Sequence, residues 1–155
     1  MNRFAELLDR LAFEPSRNGK LRLMLEYFRS VPDPERGFAL AALTGALSFQ
    51  HAKPRLIRAL ISERADPVLF DLSYDFVGDL SETVALMWPT PVHAAQHDAE
   101  SPTLITVVKT LSTMGKAELP AHLARWLDHL DETGRWALLK LVTGGLRIEI
   151  GRAHV

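Results

Sequence analysis

The stretch Asp131–Gly145, DETGRWALLKLVTGG, contains the clearest helix signals in this 155-residue sequence. Asp131 is a favourable N-cap residue because its carboxylate can accept a hydrogen bond from a free backbone N–H group of the first turn. Apolar residues recur at helical spacing after it. Gly144-Gly145 closes the pattern, since glycine readily adopts the left-handed conformation that ends helices. The stretch predicts a helix from about Thr133 to Val142.

The same periodicity extends outward over nearly the whole chain. Phe4–Leu11 carries apolar residues at i, i+3, i+4 and i+7, which is one face of a helix. Further helix starts are indicated by Ser16, Asp33-Pro34, Lys53-Pro54, Asp66-Pro67, and Asp79 with Glu82. The apolar residues assigned to these helices include Leu21, Leu23, Met24, Leu25, Tyr27, Phe28, Phe38, Leu40, Leu43, Leu56, Ile57, Leu60, Ile61, Val68, Leu69, Leu72, Phe76, Leu80, Val84 and Met87.

Two more helices are expected, from Leu104 to about Met114 and from Leu119 to His129. Residues 89–102 hold three prolines and predict the main loop, a tether within one domain. No segment alternates with period two as a half-buried strand would, and no fixed-period repeat is present. The sequence therefore predicts an all-α fold, an irregular bundle of about eight to ten helices. We expect Trp88, Trp126 and Trp136 to pack in the core.

The charge is unevenly distributed along the chain. The net charge is −1, but residues 1–60 hold ten Lys/Arg against six Asp/Glu, or +4. Residues 61–136 sum to −7 and residues 137–155 to +2. A basic face built from the two ends could meet a polyanion, although an ordinary solvated surface explains the same numbers. The chain has no cysteine and no apolar run long enough for a membrane span, and we expect a cytoplasmic location without membrane partners.

Searches for catalytic patterns find no complete site. His93 and His97 stand four apart near Asp98 and Glu100, but the flanking prolines favour solvated loop histidines over a metal site. Carboxylates at 71, 75 and 79 fit a helix cap and a solvated face better than a magnesium site. His122 and His129 fit a helix surface. No nucleophile elbow, Walker loop or dinucleotide-binding glycine pattern occurs.

Three ordered stretches together resemble one family. They are FAELLDRL (4–11) followed by SRNGKL (16–21), YDFVGDLSETV (74–84), and WALLKLVTGGLRI (136–148). In this order and spacing they resemble the N-terminal DNA-binding domain of bacterial ATP-dependent DNA ligases, over about residues 1–148. The resemblance implies a helical domain that grips nicked duplex DNA across the minor groove during DNA repair, replication and recombination.

The resemblance also implies ligase chemistry that this chain does not contain. Family members form a lysine–AMP intermediate in a Lys-x-Asp-Gly motif, using ATP and Mg²⁺. None of the lysines, at 20, 53, 109, 116 and 140, lies in such a motif. We therefore expect no cofactor in this chain, no catalytic residue and no activity without the missing adenylation and oligonucleotide-binding domains. We expect a monomer near the nucleoid.

Binding across the minor groove relies on Lys and Arg side chains and backbone amides that contact phosphates. The candidate DNA-contacting residues are Arg17, Lys20, Lys53, Arg55, Lys140, Thr143, Gly144, Gly145 and Arg147. The alternative for Lys53 and Arg55 is an ordinary exposed helix start. The alternative for Arg147 is a role in fixing the linker to an absent domain.

The last residues depart from the family pattern. Ile150-Gly151-Arg152-Ala153-His154-Val155 reads like one frame of a sequencing-adapter oligonucleotide. We expect 149–155 to be an artefactual or divergent tail after a 1–148 domain; the alternative is a natural standalone domain. A second functional alternative is a helical protein-interaction scaffold without a nucleic-acid role. An exposed apolar groove together with dispersed cations would favour the scaffold.

Overall fold

The computed structural model describes residues 1–47, 49, 51–90, 101–144 and 146, and these residues form nine helices and no strand. The helices are α1 (Asn2–Phe13), α2 (Arg17–Ser30), α3 (Glu35–Leu43), α4 (Pro54–Ser62), α5 (Pro67–Val77), α6 (Leu80–Met87), α7 (Leu104–Thr113), α8 (Leu119–His129) and α9 (Glu132–Thr143). The all-α prediction is confirmed, and the helix number falls within the expected range. The predicted loop lies largely outside these residues.

Helix α9 is the centre of the bundle. It packs against α1 on one side and α6 on the other, and it also contacts α8. Ala137, Leu138 and Leu139 are completely buried in succession, so α9 is enclosed on several sides rather than along one stripe. Helix α2 covers α1, and α5 covers α6. The order α2, α1, α9, α6, α5 therefore leaves α2 and α5 as the two outer helices.

Most predicted helix starts are confirmed by their caps. Side-chain oxygens of Ser16, Asp66, Asp79 and Asp131 accept hydrogen bonds from backbone N–H groups in the first turns of α2, α5, α6 and α9. Each such bond satisfies a donor that has no partner within the helix. Pro54 occupies the first turn of α4, as expected. Helix α9 ends at Gly144, whose φ of 78° lies in the left-handed region that favours glycine.

The start predicted at Asp33-Pro34 is wrong in detail. The Asp33–Pro34 peptide bond is cis, and Pro34 itself occupies the N-cap position of α3. No side chain caps this helix. The first turn of α3 is instead held by a hydrogen bond to the preceding segment, in which Arg36 Nη2 donates to the backbone oxygen of Val31 at 2.9 Å. Tyr27 Oη also donates to a carboxylate oxygen of Glu35 at 2.8 Å, which joins α2 to α3.

The buried face predicted for α2 is partly wrong. Leu21 and Leu25 are 41% and 48% exposed, whereas Tyr27 is buried. Leu23, Met24 and Phe28 are half-buried against the core. Because α2 lies at the edge of the bundle and covers α1, only one narrow side of it can reach the core.

The buried face predicted for α5 is also wrong. Val68, Leu69, Leu72 and Phe76 are all more than half exposed, and Phe76 is 92% exposed. The residue of α5 that is buried is Phe70, on another side of the helix. Helix α5 is therefore turned so that its most apolar row is exposed to solvent. On α3, Leu40 is likewise half-exposed rather than buried.

A buried arginine fixes the ends of two helices to α9. Arg135 is 5% exposed, its Nε donates to the backbone oxygen of Leu127 at 2.7 Å, and its Nη1 donates to that of Trp88 at 3.2 Å. These carbonyls lie at the C-terminal ends of α8 and α6, where the helices lack internal donors. Burial lowers the pKa of Arg135, which the nearby carboxylate of Asp128 opposes. The same Asp128 accepts a hydrogen bond from Trp88 Nε1 at 2.8 Å.

The tryptophans follow the core prediction closely. Trp88 and Trp126 are buried, and Trp136 is half-buried against the core. Among the described residues, no helix has the length and apolar character that crossing a lipid bilayer requires.

Replacing Arg135 tests how much the bundle depends on this arginine. We expect Arg135→Met to lower the free energy of unfolding by about 2–4 kcal/mol, because two buried carbonyls lose a charged donor. Chemical denaturation monitored by circular dichroism measures the change. Arg10→Met is the matched control, since the Arg10 side chain is 56% exposed and its replacement should cost less than about 0.5 kcal/mol. Equal losses in the two variants would contradict the role assigned to Arg135.

Candidate nucleic-acid interface

The start of α4 lies in a groove that gathers basic side chains. Lys53 and Arg55 line this groove together with Lys116, from the segment between α7 and α8. His51 also borders it, and the groove has a volume of about 620 Å³. Lys53, Arg55 and Lys116 are all exposed. Lys53 and Arg55 are predicted DNA-contacting residues, and the fold brings Lys116 and His51 to the same groove. We call His51, Lys53, Arg55 and Lys116 the α4 basic groove.

The backbone at the start of α4 adds to the positive potential of this groove. Lys53 is the N-cap residue, its side chain does not cap the helix, and the first turn contains no acidic residue. The first-turn N–H groups of a helix carry a partial positive charge that favours anions. Pro54 has no N–H group and the N–H of Leu56 already donates to the backbone oxygen of Lys53 at 3.0 Å, so an anion in the groove would meet mainly the side chains of Lys53 and Arg55.

Lys116 and His51 were not predicted from the sequence, although His51 lies only two positions before Lys53. Lys116 comes 63 positions after Lys53, and only the packing of α4 against α8 brings it to the groove. The sequence signal that could have pointed to Lys116 is its position just before a helix start, which Pro120 marks. The floor of the groove is partly apolar, with Leu56, Ala59 and Pro120.

The start of α2, with candidate residues Arg17 and Lys20, is differently built. A carboxylate oxygen of Glu14 accepts hydrogen bonds from Ser16 N and Ser16 Oγ, at 3.1 and 2.8 Å. These bonds and the positive charges of Arg22 and Lys20 hold the pKa of Glu14 below its ordinary value. An added Cβ at Gly19 would lie 2.3 Å from the Glu14 carboxyl carbon. The glycine therefore lets an internal carboxylate take the place that an external anion would use.

The predicted cation at the end of α9 has an internal partner. Lys140 Nζ donates to Asp79 Oδ2 at 2.5 Å. The other oxygen, Asp79 Oδ1, accepts from the backbone N–H of Glu82 and caps α6. Burial opposes ionisation of Asp79, but the hydrogen bonds from Lys140 and from the backbone outweigh it and lower the pKa of this carboxyl. Lys140 thus joins α9 to the start of α6, and its role on DNA stays a prediction.

Two of the other DNA-contact candidates at the end of α9 lie within the described residues. Thr143 Oγ1 donates to the backbone oxygen of Leu139 at 2.8 Å, and Gly144 is exposed. Gly145 and Arg147 lie outside the described residues, as does the tail 149–155.

No described cluster of histidine, aspartate and glutamate has the arrangement of a metal site. Asp71 and Asp75 are exposed and Asp79 is a cap, in agreement with the predicted solvated face. His122 and His129 are half-exposed on α8. His93, His97, Asp98 and Glu100 lie outside the described residues.

A double-mutant cycle on Asp79 and Lys140 tests the connection between α6 and α9. Asp79→Asn keeps a capping side chain, so its combination with Lys140→Met isolates the charged pair. We expect a coupling of about 0.5–1.5 kcal/mol at neutral pH, given that both side chains are partly exposed. Because the folded-state pKa is lowered, the coupling should be present above the unfolded-state pKa of about 3.9. It should disappear as the pH falls through the lower folded-state value.

Chemical denaturation of the four proteins across this pH range provides the measurement. The matched control is the exposed pair Glu6–Arg10, whose charged atoms are 4.0 Å apart. A coupling no larger than that of Glu6 and Arg10, or one that persists in strong acid, would refute the assigned pair.

Comparison with known proteins does not assign this chain to a family. The chain matches no family model, no curated protein and no solved structure.

Proposed function

We propose that this chain is a DNA-binding domain that holds duplex DNA by its sugar–phosphate backbone, with the α4 basic groove as the main contact. The single observation that carries the proposal is the convergence of Lys53, Arg55 and Lys116 beside an acid-free helix start. Three cations beside the positive end of a helix suit phosphate, and such contacts give affinity without reading sequence.

The biological setting we propose is that of an ATP-dependent DNA ligase. Its support is the resemblance of the three sequence stretches to the N-terminal domain of that family, together with the all-α fold. In this setting the domain positions nicked duplex DNA through the minor groove for sealing in repair, replication and recombination. The adenylation and sealing steps, with ATP and Mg²⁺, belong to adenylation and oligonucleotide-binding domains outside this sequence. The chain alone is expected to be inactive because it lacks Lys-x-Asp-Gly.

Binding to nicked duplex DNA, followed by fluorescence anisotropy at several salt concentrations, tests the proposal. We expect affinity to fall steeply between about 50 and 200 mM salt, with a logarithmic slope of about 0.9 per phosphate contacted. Lys53→Ala/Arg55→Ala should lower the slope by up to about 1.8, and adding Lys116→Ala should lower it further. The matched control is Arg10→Ala/Lys109→Ala, which removes two exposed cations elsewhere.

Two results would overturn this assignment. One is the absence of binding at low salt by protein that circular dichroism shows to be folded. The other is an equal loss of slope in the control variant.

The variant Arg17→Ala/Lys20→Ala compares the contributions of the two helix starts to DNA binding. We expect a smaller loss there than in Lys53→Ala/Arg55→Ala, because the Glu14 carboxylate already occupies the start of α2.

A second candidate function is a helical protein-interaction scaffold with no nucleic-acid role. It is favoured by an exposed apolar surface on α5, where Val68, Leu69, Leu72 and Phe76 are more than half exposed. It is also favoured by the distribution of the candidate cations over two helix starts. One pair lies at the start of α2, which packs on α1, and the other lies at the start of α4, which packs on α6 and α8. The anisotropy titration separates the two functions, because a scaffold alone would leave nicked DNA unbound at low salt.

A further inference from the structure

The outer side of α5 and the adjoining end of α6 form a continuous apolar surface. Its members are exposed to between 54% and 92%, and we call them the α5–α6 face. They are Val68, Leu69, Leu72, Phe76 and Leu86. Single exposed apolar residues are ordinary on protein surfaces, whereas a contiguous group of large ones marks an interaction site. Leu72, Phe76 and Leu86 line one groove, and Val68 and Leu69 lie one helical turn before Leu72 on α5.

The shape of this surface suits a helix. Leu69, Leu72 and Phe76 follow each other at i, i+3 and i+7, which places them in one row along α5. Beside the row runs a shallow groove of about 360 Å³ between α5 and α6, in which Leu72 and Phe76 face Leu86. An amphipathic helix binds by laying its own apolar row into such a groove.

The charged residues of the segment that carries the face are all negative. Residues 67–87 contain no lysine, arginine or histidine. Asp71, Asp75 and Glu82 are exposed there. Of the nearby cations, Arg58 stacks on the ring of Tyr74, outside the apolar row, and Lys140 is paired with Asp79. A partner must therefore bring positive charge to the rim, because like charges brought together oppose binding.

The same charges argue against pairing of this face with its own copy. Two α5 helices placed side by side would set Asp71 and Asp75 of one chain against those of the other, without a cation in either 67–87 segment. Such a symmetric contact buries apolar surface but brings like charges together.

We infer that the α5–α6 face is a docking site for a basic amphipathic helix of a partner protein. Apolar side chains of that helix fill the groove beside Leu72 and Phe76, and lysine or arginine side chains on its flanks pair with Asp71, Asp75 and Glu82. The inference is independent of DNA binding, since it uses none of the residues of the α4 basic groove.

Two synthetic helical peptides of about 18 residues, or five turns, provide the probe. Both carry leucine at i, i+3, i+4 and i+7; one has lysine flanks and the other has glutamate flanks. At low salt we expect the lysine peptide to bind the folded chain at least about tenfold more tightly, as charge complementarity at the rim requires. Isothermal titration calorimetry measures both affinities.

Variants assign the binding to the face. Leu72→Ser/Phe76→Ser should weaken the lysine peptide at least about tenfold, since central apolar anchors dominate such interfaces and the variant leaves the rim charge unchanged. Both side chains are exposed, so the fold should survive, and circular dichroism checks this. The matched control is Leu40→Ser, which changes a half-exposed leucine on α3 and should leave affinity unchanged. Lys53→Ala/Arg55→Ala should also bind the peptide normally, which keeps this result separate from DNA binding.

Three outcomes would overturn the inference. The first is equal affinity for the two peptides, which would show nonspecific adhesion. The second is unchanged binding by folded Leu72→Ser/Phe76→Ser. The third is self-association of the wild-type chain in sedimentation experiments that this double variant abolishes. In that case the occupant is a second copy, whose α2 offers the exposed Leu21 and Leu25 beside Arg22.

Discussion

The hydrogen bonds of the buried Arg135 guanidinium are the interaction on which the arrangement of this bundle depends. A charge in the interior is tolerated only when its donors are satisfied, and here the acceptors are carbonyls at the ends of α6 and α8. The requirement works in both directions. The helix ends need a donor, and the arginine needs acceptors, so α6, α8 and α9 can meet in only a narrow range of positions.

The position of α9 then determines which surfaces remain available for binding. Since α1 and α6 occupy two of its sides, α2 and α5 are left as the outer helices and keep apolar residues in solvent. The packing of α4 onto α6 and α8 brings Lys53 and Arg55 beside Lys116. The basic groove and the apolar face are thus products of one core arrangement, yet they have opposite chemistry and involve different helices.

Local signals predicted the helices well, because caps and apolar spacing act within a few residues. Asp66, Asp79 and Asp131 are examples whose caps are confirmed. Periodicity indicated the wrong side of α5, since the most apolar row, Leu69, Leu72 and Phe76, is exposed and the buried residue is Phe70. The same holds for charge: nothing in the spacing of Lys140 or Lys116 shows that one pairs with Asp79 and the other joins a groove. These contacts join residues that are far apart in the sequence, since Lys140 is 61 positions from Asp79 and Lys116 is 63 positions from Lys53.

The carboxylate of Glu14 at the start of α2 behaves as a resident counterion. It is held by Ser16, and the absence of a side chain at Gly19 gives it room. A phosphate that approaches the first turn of α2 meets the negative charge of this carboxylate, so it gains less net attraction there. Two helix starts with similar basic residues can therefore differ in their electrostatics: the start of α2 has a carboxylate of its own chain beside it, whereas the first turn of α4 has no acidic residue.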